Sequence, residues 1–295
     1  MTRELHIGKR RIADDEPCYV IAEVGSNHQG SVTTARELMR QAKQAGADAV
    51  KTQVRNNKTL YSPERYNAPY DSENAFGPTY GLHREALELS FDDHRSLKAY
   101  ADDLGIDYFA TPFDRPSVDL LVAVGVPVLK IASFDVRSLD LLRYAAERAP
   151  VIVSTGGASW EDVMTAHATV LPVAFHAFLH CTTVYPAPAE TLNLRAITTM
   201  RERMECVIGY SSHFSGISMP LVAATLGASI LEVHFTLNRA MKGTDHAFSL
   251  EPDGLRRLVR DLKRMRAALG DGEKRLLPEE LPALIKQERA PKVDA

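Results

Sequence analysis

Lys51 and Lys130 each fall inside an otherwise apolar, β-branched run, and lysine is almost never fully buried unless it is paired. Hydroxyls gather at the ends of neighbouring runs: Thr111, Ser133, Ser154, Thr155 and Ser211. Two ammonium groups with converging hydroxyls form an anion site, and phosphate is the commonest anion for such a site. The hydroxyls alone would be ordinary turn residues. His213 and His234 end two successive runs. Imidazole suits a divalent transition metal, and two such ligands leave positions open for water or substrate. Glu23 ends the first run. Its carboxyl could act as general acid or base or pair with a lysine, and position alone does not separate these roles. Cys181, within His180-Cys181-Thr182, lies in a buried apolar run where thiols are usually inert.

Something must hold these residues together. Short β-branched runs bounded by Gly, Pro or Ser read as strands over residues 19–24, 49–54, 108–112, 128–132, 151–154, 177–181, 207–210 and 231–235. Runs with apolar residues three and four apart read as helices over 33–45, 92–104, 117–124, 138–148, 160–170, 194–204, 219–226 and 252–269. Gly46, Gly105, Gly125 and Gly227 fall just past helices, where a left-handed residue is wanted. Eight strands alternating with helices is the count of an α/β TIM (β/α)8 barrel. Continuous rather than alternating apolar strands suit a parallel sheet buried on both faces. An open doubly wound sheet is the alternative. In a barrel, chemistry sits at the carboxyl ends of the strands, and the polar residues above fall at those ends, with Ser26-Asn27-His28, Gln53, His180, Thr182, Thr183, Tyr210, Ser212 and Glu232.

The chain of 295 residues fits one such barrel with trimmings, over 1–270. Residues 1–17 hold a small hairpin, read as plugging the barrel floor. The 55–90 stretch is a long loop over the site, and 271–295 reads as a charged surface tail. Hydrophobic residues make 45% and charged residues 25%, with a net charge of −3 from 35 basic and 38 acidic side chains. This excludes a strongly basic nucleic-acid binder and a disordered acidic chain. No apolar run approaches the ~20 residues of a membrane span, and no signal-peptide core opens the chain. The cysteines, Cys18, Cys181 and Cys206, are scattered and odd in number. That argues against a disulfide framework or a CxxC zinc site and favours the cytoplasm.

The motifs Ile21-Ala-Glu-Val-Gly-Ser-Asn-His-Gln-Gly30, Ala45-Gly-Ala-Asp-Ala-Val-Lys-Thr-Gln53, Phe109-Ala-Thr-Pro-Phe-Asp114, Val128-Leu-Lys-Ile-Ala-Ser133 and Val153-Ser-Thr-Gly156 open a series. It continues in His180-Cys-Thr-Thr-Val-Tyr-Pro-Ala-Pro188, Gly209-Tyr-Ser-Ser-His213, Glu232-Val-His-Phe-Thr-Leu237 and Gly243-Thr-Asp-His246. In this order, the series resembles the sialic acid synthase (NeuB) family. The resemblance implies a synthase that condenses phosphoenolpyruvate with an aldehyde sugar, of N-acetylmannosamine type or another aldose, to give a nonulosonic or related 2-keto acid plus phosphate. It implies a divalent metal, manganese with magnesium or cobalt as alternatives, on the residues matching His213 and His234. It places Lys51, Lys130, Thr111, Ser133, Ser154 and Ser211 around phosphoenolpyruvate, with Thr183 also on substrate. Glu23, Gln53, Tyr185 and Asp245 match positions facing the acceptor and the reacting carbons, with Glu23, Lys51, Tyr185 and Asp245 in the catalytic group. A homodimer is the implied assembly.

The chain departs from the family pattern at Phe134, Thr183, Ser212 and Asn238. It stops at Ala295, near where the family's C-terminal antifreeze-like (SAF) domain would begin, and the expectation is a short form without that domain. The competing readings are a metal-dependent aldolase using pyruvate or a phosphorylated sugar, and a catalytically silent partner subunit.

Overall fold

The computed structural model describes residues 3–172 and 175–287. Strands β1 (Glu4–Ile7) and β2 (Arg10–Ala13) form an antiparallel hairpin. Its Leu5, Ile7 and Ile12 are fully buried in the main core. At its turn a Cβ on Gly8 would come within 2.8 Å of the Asp107 carboxylate. Asp107 begins a barrel strand, so the hairpin closes the amino-terminal end of the barrel, as the sequence led us to expect.

The barrel strands are β3 (Tyr19–Gly25), β4 (Ala49–Val54), β5 (Asp107–Pro112) and β6 (Leu129–Ile131), then β7 (Val151–Ser154), β8 (His176–Cys181), β9 (Val207–Ser212) and β10 (Ile230–His234). All pair in parallel, in the order β5-β4-β3-β10-β9-β8-β7-β6. β5 and β6 lie side by side without a registered ladder, so the sheet is a nearly closed TIM barrel. Nearly every strand residue is buried, which explains why the strands read as unbroken apolar runs.

Local chemistry sets the helix limits. The helices Phe91–Leu104 and Trp160–Val170 begin in capping boxes, Ser90 with Asp93 and Ser159 with Asp162. Left-handed Gly46, Gly105 and Gly125 end the helices before β4, β5 and β6. The Pro252–Leu269 helix buries Leu255, Leu258, Val259 and Leu262, and packs on the Val32–Ala45 and Ser218–Thr225 helices.

Two expectations shift. Strand 128–132 shortens because Ser133 already starts a 3-10 turn, Ser133–Asp135. The 55–90 stretch is no plain loop. It holds short helices at Asn57–Leu60, Pro63–Asn67 and Tyr80–Glu85, and its Asn74 side chain accepts a 2.8 Å hydrogen bond from the Gly243 amide beyond β10. Residues 271–287 are exposed and include the Leu281–Lys286 helix. Among the described residues no helix is long and apolar enough to cross a membrane.

Candidate active site

Strand register brings the distant residues level. Glu23 of β3 stands beside Lys51 of β4 and His234 of β10, Glu232 beside Ser211, and Gln53 beside Thr111. Lys51 Nζ lies 2.6 Å from Glu23 Oε2, donates to Thr111 Oγ1 at 2.8 Å, and has Glu232 Oε1 at 3.9 Å. Glu23 Oε2 faces the ammonium as an ion pair but lies off its hydrogen-bond directions, so the oxygen keeps a vacant acceptor site. Lys130 Nζ donates to Ser154 Oγ at 2.6 Å and to the Ile131 carbonyl at 2.9 Å. Among the described residues no carboxylate reaches ion-pair distance of Lys130.

The two lysines therefore differ. Lys51 is neutralised, whereas Lys130 is a buried cation held by hydroxyl and carbonyl oxygens. Burial, reinforced by Lys51, lowers the Lys130 pKa although Glu232 opposes the shift. Burial alone would raise the Glu232 pKa, but Lys130 and Lys51 outweigh it and hold the carboxyl ionised, with Ser211 donating to Oε1 at 3.1 Å. Two buried cations thus face two buried anions. Lys130 is the cation of the four with no carboxylate at ion-pair distance among the described residues, so its ammonium is the one an incoming anion could approach directly.

Close approaches shape the rest. A Cβ on Gly156 would stand 2.1 Å from Thr183 Oγ1 and 2.9 Å from Ser133 Oγ. The Gly156 amide donates to Ser133 Oγ at 3.0 Å, and Thr183 Oγ1 is buried without a partner. Ser133, Thr183 and Ser154 thus form a hydroxyl cradle near Lys130, open only because residue 156 has no side chain. On the opposite side, a Cβ on Gly25 would stand 3.2 Å from Glu23 Oε1, 3.3 Å from Gln53 Nε2 and 3.6 Å from Asp245 Oδ2. Those three side chains converge there. Gln53 donates to Glu23 at 3.0 Å and accepts from Arg55 at 2.5 Å, and Arg55 pairs with Glu88 at 3.0 Å.

The ring centroids of His213 and His234 are 5.3 Å apart, and Tyr185 lies over His213 at 4.1 Å. His213 Nδ1 donates to the Thr182 carbonyl at 2.7 Å, which leaves Nε2 with the lone pair. Burial, with His234 second, pulls the His213 pKa down to about 4. The buried His234 Nδ1 has no hydrogen-bond partner, with Asp245 Oδ2 3.9 Å away. A neutral imidazole and an unsatisfied ring nitrogen fit a divalent cation.

Some residues do other work. Asn27 ties β3 to the Phe235 carbonyl at 2.9 Å, and His28 Nδ1 accepts from the Gly30 amide at 3.1 Å, so both shape the loop. Cys181 Sγ lies 3.9 Å from His213 Nδ1, and burial raises its pKa, which suits an inert thiol. Two recesses, of about 540 and 630 Å³, are lined from Gly8 to Pro127 at the barrel floor and from Leu60 to Leu141 beside the β5 and β6 loops. Neither holds the lysine–carboxylate cluster, and we place the site by its chemistry. Three members escaped the sequence reading as site residues. Glu232 shares a strand face with His234 two positions on, a signal present in the sequence. Arg55 and Glu88 carry no such signal, since they meet across the whole 55–90 segment.

Fold and cluster together define a TIM-barrel enzyme with its polar side chains at the carboxyl face of the strands. The chain belongs to the NeuB family, whose sequence model matches residues 38–274. It is 37% identical over 275 residues to the N-acetylneuraminate-9-phosphate synthase of Homo sapiens, covering 92% of this chain and 77% of that protein. It is 38% identical over 282 residues to the N,N'-diacetyllegionaminic acid synthase of Legionella pneumophila, covering 92% and 79%. The crystal structure of an N-acetylneuraminic acid synthetase from Leptospira borgpetersenii superposes with a TM-score of 0.84 at 33% identity, covering 97% of both chains.

Proposed function

We propose that this chain joins C3 of phosphoenolpyruvate to the carbonyl carbon of an aldehyde sugar, adds water at C2 and releases phosphate. The product is a nonulosonic or related higher-sugar 2-keto acid. The observation that carries the reading is Lys130, a buried ammonium without a carboxylate partner beside the Ser133–Ser154–Thr183 hydroxyls. A phosphate group would bring a counter-charge into hydrogen-bond range of the Lys130 ammonium, and its oxygens would accept from hydroxyls that now have few partners. Family membership and the names of the two relatives support the same reaction class.

The remaining side chains divide the work by position. Lys51, Thr111 and Ser211 would hold the carboxylate end, where the Glu23–Lys51 pair keeps the local charge balanced. Carbon–carbon bond formation builds positive charge at C2, and the fixed anionic phosphate and carboxylate of the substrate offset it. Glu23, with a vacant acceptor lone pair on Oε2, would take the proton of the water that adds to C2. Loss of phosphate then completes the 2-keto acid. Gln53, Asp245 and Tyr185 would orient the aldehyde, under the cover of the 55–90 segment. His213 and His234 would hold a divalent cation, manganese before magnesium or cobalt, which supplies Lewis-acid polarisation of the acceptor carbonyl. The working form is a homodimer.

The test is a phosphate-release screen with the full chain, Mn²⁺ and phosphoenolpyruvate over N-acetylmannosamine, its 6-phosphate and diacetamido-hexoses, with products identified by mass spectrometry. Aldehyde-dependent phosphate release with a 2-keto acid of the summed carbon count is expected. Release without such a product, or condensation with pyruvate in place of phosphoenolpyruvate, would overturn the reading. His213→Ala should raise the Mn²⁺ concentration needed for half-maximal rate at least tenfold.

A further inference from the structure

We propose that His167, His176 and Cys206 form a second metal site, for a zinc-class transition cation, at the opposite end of the barrel from the site above. His176 opens β8, Cys206 immediately precedes β9, and His167 lies in the Trp160–Val170 helix that packs outside them. One donor atom from each lies within 4.8 Å of the other two. All three side chains are buried, with 7%, 9% and 5% exposure. Ligands of tetrahedral zinc, at Zn–N of ~2.0–2.1 Å and Zn–S of ~2.3 Å, stand roughly 3.5 Å from one another. A rotation of about an ångström at each side chain would close the cluster on an ion.

Further observations point to a ligand. His167 Nε2 is buried and has no hydrogen-bond partner, an arrangement that costs energy unless something occupies the lone pair. Burial pushes the Cys206 thiol up to about 12, with the charge of Arg3 and the Phe178 backbone opposing it in part, so the thiolate forms there only with a cation to displace its proton. The Phe178 ring stands edge-on to both imidazoles, at 5.6 and 6.0 Å, as an apolar wall. Glu205, exposed and next to Cys206, acts electrostatically on His167. Its carboxylate or a water would complete four-coordination.

A two-histidine, one-thiolate set is too soft for magnesium or calcium and suits zinc. On binding, the Cys206 thiol proton passes to solvent as the S–metal bond forms. The cation would pin the Trp160–Val170 helix to the amino-terminal edges of β8 and β9. Five strand steps, about 16 Å, separate His176 from Cys181 at the carboxyl end. The cysteine spacing in the sequence argued against a zinc site, because this one is assembled from three elements.

The experiment is a Co²⁺ titration of the metal-free full chain, followed by absorption, with Zn²⁺ competition. We expect a thiolate-to-cobalt charge-transfer band in the near ultraviolet that is displaced by Zn²⁺. The band should persist in His213→Ala/His234→Ala and in Cys18→Ser/Cys181→Ser, where Cys206 is the remaining thiol. It should vanish in Cys206→Ser and weaken at least tenfold in apparent affinity in His167→Ala. No band in the wild-type chain, or a band lost in Cys18→Ser/Cys181→Ser, would overturn the proposal. The last comparison decides the question even if Cys206→Ser does not fold.

Discussion

Replacing Lys130 with methionine tests the anion site most directly, because methionine keeps most of the volume of this buried side chain and removes only its charge and hydrogen bonds. In the wild type, Nζ donates to Ser154 at 2.6 Å and lies among atoms almost closed to solvent, the residue being 2% exposed. A unit charge pair at ~4 Å is worth about 4 kcal/mol at an effective dielectric of ~20. Reorganisation of Ser154 and the remaining attraction of Lys51 recover part of this. We expect a loss of about 2–3 kcal/mol, a 30- to 150-fold fall in phosphoenolpyruvate affinity. Calorimetric titration of phosphoenolpyruvate into the Mn²⁺-loaded variant reads the affinity, and circular dichroism reports folding. Stability should suffer less than binding, since a desolvated ammonium without a carboxylate partner is itself costly to bury. A folded Lys130→Met protein that binds phosphoenolpyruvate within threefold of the wild type would refute the assignment of Lys130 to the substrate anion.

Other expectations follow from the same geometry. Glu23→Gln removes the anion 2.6 Å from Lys51. Turnover should fall at least ~100-fold, in the range of a lost general base, and breaking the buried pair should cost about 3–5 kcal/mol in urea unfolding; near-normal phosphate release would exclude Glu23 as the base. In Gly156→Ala the new Cβ would stand 2.1 Å from Thr183 Oγ1, so kcat/KM for phosphoenolpyruvate should drop at least tenfold and recover in part with Thr183→Ala, and no recovery would refute the steric account. Burial holds His28 and His94 at a pKa of about 4. Their folded values lie below the unfolded value near 6.5, so their contribution is complete above about pH 6.5 and is lost as pH falls toward 4, by up to about 1.4 kcal/mol per pH unit for each. A urea midpoint unchanged between pH 7 and pH 5 would contradict this.

Much of the molecule was legible in the order of residues. Unbroken apolar runs separated by helical patterns identify a parallel barrel, because strands buried on both faces leave no polar alternation. Lys51, Lys130, His213 and His234 stood out because their types are costly inside such strands. Tertiary structure alone decided how these residues share their charge. The register that sets Glu23 level with Lys51 and His234 neutralises one lysine and leaves the other without a carboxylate. The same packing turned Asn27 and His28 into loop supports and joined Arg55 to Glu88 across a segment that holds three short helices. It also gathered His167, His176 and Cys206 at the far end of the barrel. Residue type reports the cost of burying a group, which the sequence carries. The partner that offsets this cost comes from another strand or helix, and strand pairing and helix docking bring it within reach.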